Sequence, residues 1–237
     1  MNKNQKIQDS RLPFIMVNMA MTADGKIATA NRSVHSFGSA RDLKHLYELR
    51  ATADAVMCGA RTVEISQSIL GTSGEKFRRR RLKHGLAEYN VRIIVSGSGS
   101  IDPKAEIFKK KFSPLIVLTT GRASPQKLAQ LRELADVVKV CGKREINFHS
   151  ALNWIHTKWK VQRLLCEGGG ELNNALFRAG LVDEIHLTIC PKIFGGQTAP
   201  TIADGLSAGR LNGAVGFKLC SIQCIESELF TVFSGRK

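Results

Sequence analysis

The sequence is poor in aromatic side chains, 6% of its 237 residues, and in acids, with 20 Asp and Glu against 35 Lys and Arg. The first scarcity weighs against specific nucleic-acid binding, which wants a basic patch with interleaved aromatics or a reading motif. No helix-turn-helix, zinc or RNA-sheet motif is present. The second leaves a formal net charge of +15 and invites an anionic partner, nucleic acid or a phosphorylated small molecule. No apolar run approaches the roughly 18 residues of a membrane helix, and no charged–apolar–small leader opens the chain. The six cysteines, at 58, 141, 166, 190, 220 and 224, include one close pair, Cys220 and Cys224, and no second pair or His cluster to complete a zinc site. They read as reduced core residues of a cytoplasmic protein. The Gly-x-Gly-x-x-Gly dinucleotide fingerprint is also missing, so any dinucleotide site must be of another type.

What is present centres on Arg163-Leu-Leu-Cys-Glu-Gly-Gly-Gly-Glu-Leu172. A short apolar run ends in an acid and three glycines, and Leu172, Ala175, Leu176 and Ala179 then recur at helical spacing. Strand, glycine turn and helix aim backbone N–H groups at an anion, and glycines let a phosphate come close. The alternative is a tight strand-to-helix turn.

Taken in order, residues 1–11 read as a flexible arm and residues 12–237 as one domain. Pro13–Ala20 is an apolar strand interrupted by Asn18, either a core amide or a ligand contact. Asp24-Gly25 is a turn, with Thr22, Asp24 and Lys26 just past the strand end, where open α/β sheets bind ligands. Ser39 caps a helix to about Ala51, with Leu43, Leu46, Tyr47 and Arg50 on one side. Residues 54–59, 91–95, 114–118, 137–140 and the run from 184 read as strands. Residues 66–90 read as a polar, basic excursion carrying Lys76-Phe-Arg-Arg-Arg-Arg-Leu-Lys-His84, a solvated surface run or a phosphate contact. Ser124-Pro125 opens a helix, residues 146–157 form another, and 217–225 with 228–233 close the chain as an antiparallel hairpin. Strands alternating with helices and ending in strands predict an α/β fold: a mostly parallel central sheet with helices on both faces and an antiparallel edge. Four strand ends, after 58, 95, 118 and 166, carry Gly, Ser or Thr, as a dinucleotide cleft requires.

Three stretches resemble one family: Met21-Thr-Ala-Asp-Gly-Lys-Ile-Ala-Thr29, Glu167-Gly-Gly-Gly-Glu-Leu172, and Gly180-Leu-Val-Asp-Glu184 through Pro191-Lys-Ile-Phe-Gly-Gly196. With Leu49–Val63, they look like the riboflavin-biosynthesis pyrimidine reductases, in the stand-alone form. The resemblance implies a dihydrofolate-reductase-like fold, a homodimer and NADPH. It implies reduction of the ribosylamino group of a diaminopyrimidinone or aminouracil 5′-phosphate to a ribitylamino group. Carried over by position, Gly168, Gly169, Gly170 and the helix start at Glu171 and Leu172 would hold the cofactor pyrophosphate, bordered by Gly59 and Thr62. Ser96, Gly97 and Thr119 would lie along the adenosine half. Asn18, Thr22, Asp24, Arg50 and Glu167 would face the pyrimidine and its ribose, with Asp24 and Glu167 the candidates for acid–base work.

The chain departs from the family after Val63. The usual Asp-Asp-Pro-Arg-Leu becomes Ser66-Gln-Ser-Ile-Leu70, and a substrate-side serine is replaced by His35 or Ser36. Arg79 and Arg80 are therefore expected to supply a missing phosphate contact. Two other readings stand beside the leading one: a reductase of the same fold with another substrate, and a nucleotide- or RNA-binding protein without catalysis.

Overall fold

The structure, a computed structural model, describes residues 12–32 and 37–235. The expected arm at 1–11 and the His35/Ser36 position lie outside the described residues. Among the described residues nine strands run in chain order β1 (Phe14–Thr22), β2 (Ala55–Gly59), β3 (Val91–Val95), β4 (Leu115–Thr119), β5 (Val137–Val140), β6 (Arg163–Cys166), β7 (Glu184–Cys190), β8 (Phe217–Ile225) and β9 (Glu228–Gly235). Between them lie helices α1 (Ala40–Arg50), α2 (Ala60–Ser66), α3 (Glu75–Lys83), α4 (Glu106–Lys109), α5 (Pro125–Leu134), α6 (Phe148–Trp159) and α7 (Gly170–Arg178). The strands form one sheet in the order β5-β4-β3-β2-β6-β1-β7-β9-β8. The first seven are mutually parallel, and β9 and β8 add antiparallel. This is the architecture the alternation predicts, with the closing hairpin in place.

Apolar content on both faces fits a covered parallel sheet, and the two-residue period of each strand divides the core. Ile15 and Val17 face one layer with Leu152 and Ile155 of α6 and Leu172 and Leu176 of α7. Met16 faces the other, against Leu49 of α1 and Leu165 of β6. On that second face Val56, Cys58, Ile94 and Val117 pack beneath Val63 of α2, Phe108 of α4 and Leu131 of α5. The helix starts are specified locally. The Ser39 side chain accepts from the amides of Arg41 and Asp42, and Ser124 accepts from Lys127 just before Pro125. Each such cap contributes about 1 kcal/mol.

Three expectations need correction. The basic excursion contains a helix, α3, with Glu75 in its first turn and Arg80, Arg81 and Lys83 in its last, an order that suits the helix dipole. Its inner side carries an arginine where an apolar residue is usual, so hydrophobic periodicity does not reveal it. Arg81 is 1% exposed, and its guanidinium donates to the carbonyls of Arg50 and Ala53. In α1, Leu43 points outward, while Leu49 and Arg50 are buried. All six cysteines are free, but only four are core residues: Cys220 and Cys224 stand exposed on β8.

Candidate active site

Strands β4, β3, β2 and β6 are parallel neighbours, so their carboxyl ends line one continuous crevice. At β6 the chain turns through Gly168, at φ +79°, a value glycine adopts freely. The Gly59 amide donates to the Gly168 carbonyl at 2.8 Å, tying the end of β2 to this turn. Gly169 is the N-cap of α7 and offers no side-chain cap. The first-turn amides of α7 therefore keep their capacity for an anion. A Cβ on Gly169 would stand 2.8 Å from Thr62 Oγ1, so glycine and threonine share one tight corner.

Further along the crevice, Ser96 Oγ donates to the Ser100 carbonyl at 3.1 Å and Thr120 Oγ1 donates to the Gly97 carbonyl at 2.6 Å. A Cβ on Gly97 would come within 2.9 Å of the Arg122 guanidinium, which therefore lies across that glycine. Thr119 Oγ1 is buried without a partner among the described residues. A buried hydroxyl left unpaired marks the place of a missing polar group. An open helix N-terminus, a glycine corner and an orphaned hydroxyl together fit an anionic dinucleotide. Two expected cofactor residues contribute otherwise than by side chain. Glu171 is exposed and paired with Arg61 at 3.7 Å, and the Leu172 side chain is buried in the core. What both bring to the crevice is backbone in the first turn of α7.

The residues expected on the substrate side cluster on the α1 face of the sheet. Asn18 follows Met16 by two residues, so it faces α1. It is 9% exposed, and its Oδ1 has no partner among the described residues. Glu167, just past β6, forms a bidentate pair with Arg50: Nε to Oε1 and Nη2 to Oε2, both 2.6 Å. Arg50 also donates to the Gly71 carbonyl at 2.7 Å. Burial alone would lower the Arg50 pKa, but the Glu167 carboxylate more than offsets it and the net shift is upward. Asp24 takes the Thr22 hydroxyl on one oxygen, and the amides of Phe194 and Gly195 at 3.2 and 2.7 Å. The Thr22 bond is the largest cause holding its carboxyl below the usual range, with burial opposing and the two amides assisting. Thr22 is itself spent on the turn, since its hydroxyl accepts from the Lys26 amide at 2.9 Å. Asp24 and Glu167 thus accept from settled partners, which suits orientation better than proton delivery. Arg79 and Arg80 are not brought to the crevice. Arg79 is exposed and pairs with Glu75, and Arg80 is exposed beside it. The inner side of α3 is anchored, through Arg81, at the N-terminal end of β2.

Sequence reasoning missed a second polar group under α1. Glu228 opens β9 and is 6% exposed. It accepts from the amide and hydroxyl of Ser39 at 2.8 and 2.6 Å and from Cys190 Sγ at 3.5 Å. The pKa of Asp42 is raised, first by burial and further by the nearby Glu228, with Thr188 opposing. His45 of α1 lies 5.3 Å, ring to ring, from His186 of β7. His186 Nε2 is 3.3 Å from Glu184 Oε2 but makes no aligned hydrogen bond. The only sequence signal for this group is polar residues at sheet-facing positions of β7 and α1. The pairing spans more than a hundred residues and leaves no local pattern.

The histidine pair has a measurable consequence. Burial, then His186 and Arg41, push His45 from 6.5 down to about 4, with Glu48 opposing. His186 is also lowered by burial, against Glu184. A histidine whose folded pKa is depressed binds its proton more readily unfolded. Its contribution is therefore complete above pH 6.5 and falls away toward about 4. The expected result is a wild type that loses stability from pH 7 to pH 5 in urea unfolding. A His45→Phe variant should lose about 1–2 kcal/mol less over that interval. Equal losses would refute it.

Taken together, the sheet order, the row of parallel strand ends and the antiparallel closing strands define a dihydrofolate-reductase-like α/β protein. Residues 13–230 match the RibD C-terminal domain, and the chain belongs to that family. It is 33% identical over 207 residues to the 2,5-diamino-6-ribosylamino-4(3H)-pyrimidinone 5′-phosphate reductase of Methanothermobacter thermautotrophicus, covering 87% of this chain and 91% of that one. It is 31% identical to the protein of the same name from Archaeoglobus fulgidus, covering 90% and 93%. Among solved structures, a pyrimidine reductase-like protein of Corynebacterium diphtheriae superposes with TM-score 0.80 at 20% identity, covering 95% of this chain and 92% of that one. At that identity the likeness concerns the fold.

Proposed function

We propose that the protein is an NADPH-dependent reductase of riboflavin biosynthesis that converts the ribosylamino group of a diaminopyrimidinone 5′-phosphate to a ribitylamino group. The observation that carries this reading is a row of parallel strand ends bearing an uncapped helix N-terminus, the orphaned Thr119 hydroxyl and, four strands along, the unpartnered Asn18 Oδ1. The full-length likeness to two archaeal reductases named for that substrate supports it.

NADPH supplies the hydride. The chain's own work is binding and orientation. The amides of α7, with Gly168, Gly169 and Gly170 and bordered by Gly59 and Thr62, hold the pyrophosphate. Ser96, Gly97 and Thr119 follow the adenosine half. Glu167, fixed by Arg50, accepts from donors of the pyrimidine or the opened ribose. Asp24 keeps residues 194 and 195 against the end of β1, where they shield the reacting sugar from water. The test is NADPH oxidation by the purified protein with the diaminopyrimidinone phosphate. Conversion with chemical identification of the ribitylamino product is expected, and no conversion at any cofactor concentration would end the proposal.

We also propose a homodimer through the β8–β9 edge. Leu219 and Ile222 stand 49% and 57% exposed on the edge strand β8, and an apolar edge invites a partner. A second copy placed by a two-fold axis would cover both residues. Sedimentation at micromolar concentration should give a dimer, and Leu219→Lys with Ile222→Lys should give a monomer. A monomeric wild type would refute the arrangement.

A further inference from the structure

We infer that residues 192–206 form a strap fastening the turn after β1 to the first turn of α7, so that cofactor and substrate bind cooperatively, with Asp204 and Asn174 as its positioning residues. This rests on the reductase reading and adds to it a coupling between the two halves of the site.

Strand register creates the need for such a link. β1 shares rungs with β6 only as far as Val17, whereas with β7 it runs on to Thr22. The turn at 22–27 therefore stands beyond the last rung it has with the strand that leads into α7. The strap leaves the end of β7 and crosses that interval. Its first half is zipped to the turn. The Ala23 amide donates to the Lys192 carbonyl and the Ile27 amide to the Pro200 carbonyl, both at 2.9 Å. Asp24 takes the amides of Phe194 and Gly195, and Lys26 and Thr201 form an antiparallel bridge.

The second half of the strap is fastened to α7 by separate bonds. Asn173 Nδ2 donates to the Ile202 carbonyl at 2.9 Å, and Asn174 Nδ2 to that of Leu206 at 3.0 Å. The Asp204 amide donates to the Gly170 carbonyl at 3.1 Å. Asp204 Oδ1 accepts from the amide and hydroxyl of Thr201 at 3.0 and 2.8 Å, which folds the strap onto itself where it meets the helix. The approach is close, since a Cβ on Gly170 would stand 2.6 Å from Asp204 Oδ2. Asn173 is itself buried, so this anchorage belongs to the packed domain.

The strap has little packing of its own. Ile193 is 71% exposed and Leu206 64%, so its order comes from the bonds at its two ends. A segment held mainly by hydrogen bonds opens more readily than the core, and a ligand at either end holds it closed. A dinucleotide on the α7 amides stills the turn to which Asp204 and Asn174 are tied. A substrate at the end of β1 stills the turn to which the first half is tied. Each ligand then meets a strap that the other has already ordered, and the coupling is equal in both directions.

The experiment is equilibrium binding of NADP⁺ and of the diaminopyrimidinone phosphate, each alone and in the presence of the other. NADP⁺ has no hydride to give, so the ternary complex does not react. In the wild type each ligand should tighten the other about tenfold. Asp204→Ala with Asn174→Ala cuts ties between strap and helix and should bring that factor below about twofold, with smaller changes in either affinity alone. Asp204→Asn keeps the oxygen that accepts from Thr201 and should retain the wild-type factor. Asn174→Ala alone, at a half-buried side chain, should give a partial fall and supplies the comparison if the double variant folds poorly. Independent binding in the wild type, or a factor left unchanged by the alanine variants, overturns the inference while leaving the reductase intact. A wild type that binds neither ligand removes the reductase reading and this inference with it.

Discussion

Gly169→Val is expected to weaken NADPH binding by about 10²-fold or more, roughly 3 kcal/mol, while the protein remains folded. The three glycines after β6 exist for different reasons. Gly168 needs glycine for its backbone, at φ +79°. Gly170 needs it for packing, since a Cβ there would stand 2.5 Å from the Thr201 carbonyl. Gly169 has φ −67°, which any residue adopts. The single atom a Cβ at 169 would meet is the Thr62 hydroxyl oxygen, which a side-chain rotation can move. The missing side chain at 169 therefore leaves space for a ligand rather than for the fold. Valine would fill the approach to the α7 amides, where a pyrophosphate must come within hydrogen-bond distance. The double variant Gly169→Val/Thr62→Ala removes the one internal conflict and should regain any lost stability without regaining affinity. Cofactor titration by fluorescence together with urea unfolding separates the two effects. Unchanged affinity in a folded Gly169→Val variant would place the cofactor elsewhere.

The largest effect on stability should come from Arg50. Its guanidinium and the Glu167 carboxylate have side chains 7% and 10% exposed and meet through two bonds. Arg50→Met removes the cation and leaves a buried carboxylate facing an apolar stem. Breaking a buried pair from one side costs about 3–5 kcal/mol. The variant also releases the Gly71 carbonyl, so the segment after α2 should loosen. Arg50→Met/Glu167→Gln takes away the stranded charge and should recover about half of the loss. The quantity to measure is the urea midpoint at constant slope. A loss below about 1 kcal/mol would show that the pair is solvated rather than buried. On the proposed function Glu167 also faces the reacting centre, so the double variant should be stable yet slow, which distinguishes a positioning role from a structural one.

How much of this could be read from the sequence depended on how local the cause was. The strands and most helices were legible because apolar runs, Ser39 and Ser124-Pro125 act within a few residues. The crevice was legible too, because Gly59, Ser96, Thr119 and Gly168 each end a strand and parallel strands place their ends together. Helix α3 was not, because a buried arginine bonded to two carbonyls does the work of an apolar residue. The bidentate grip on Glu167 was invisible because Arg50 and Glu167 are 117 residues apart. Asp42 and Glu228 were invisible for the same reason: each is an ordinary polar residue until β7, β9 and α1 converge. The expected phosphate contact at Arg79 and Arg80 rested on nearness along the chain, and a helix turned them outward.

The position of β1 in the sheet also bears on how the protein comes into being. The first strand lies between β6 and β7, and the Ile15 amide donates to Asp183 Oδ2, 168 residues later. During synthesis the strand bearing Asn18 therefore waits, apolar on both faces, until more than two-thirds of the polypeptide has been made. Such long-range closure slows folding and leaves a sticky segment exposed meanwhile. A ribosome-stalled chain ending before β6 should bind chaperones through residues 14–22, and truncation there should yield aggregate instead of a half-domain.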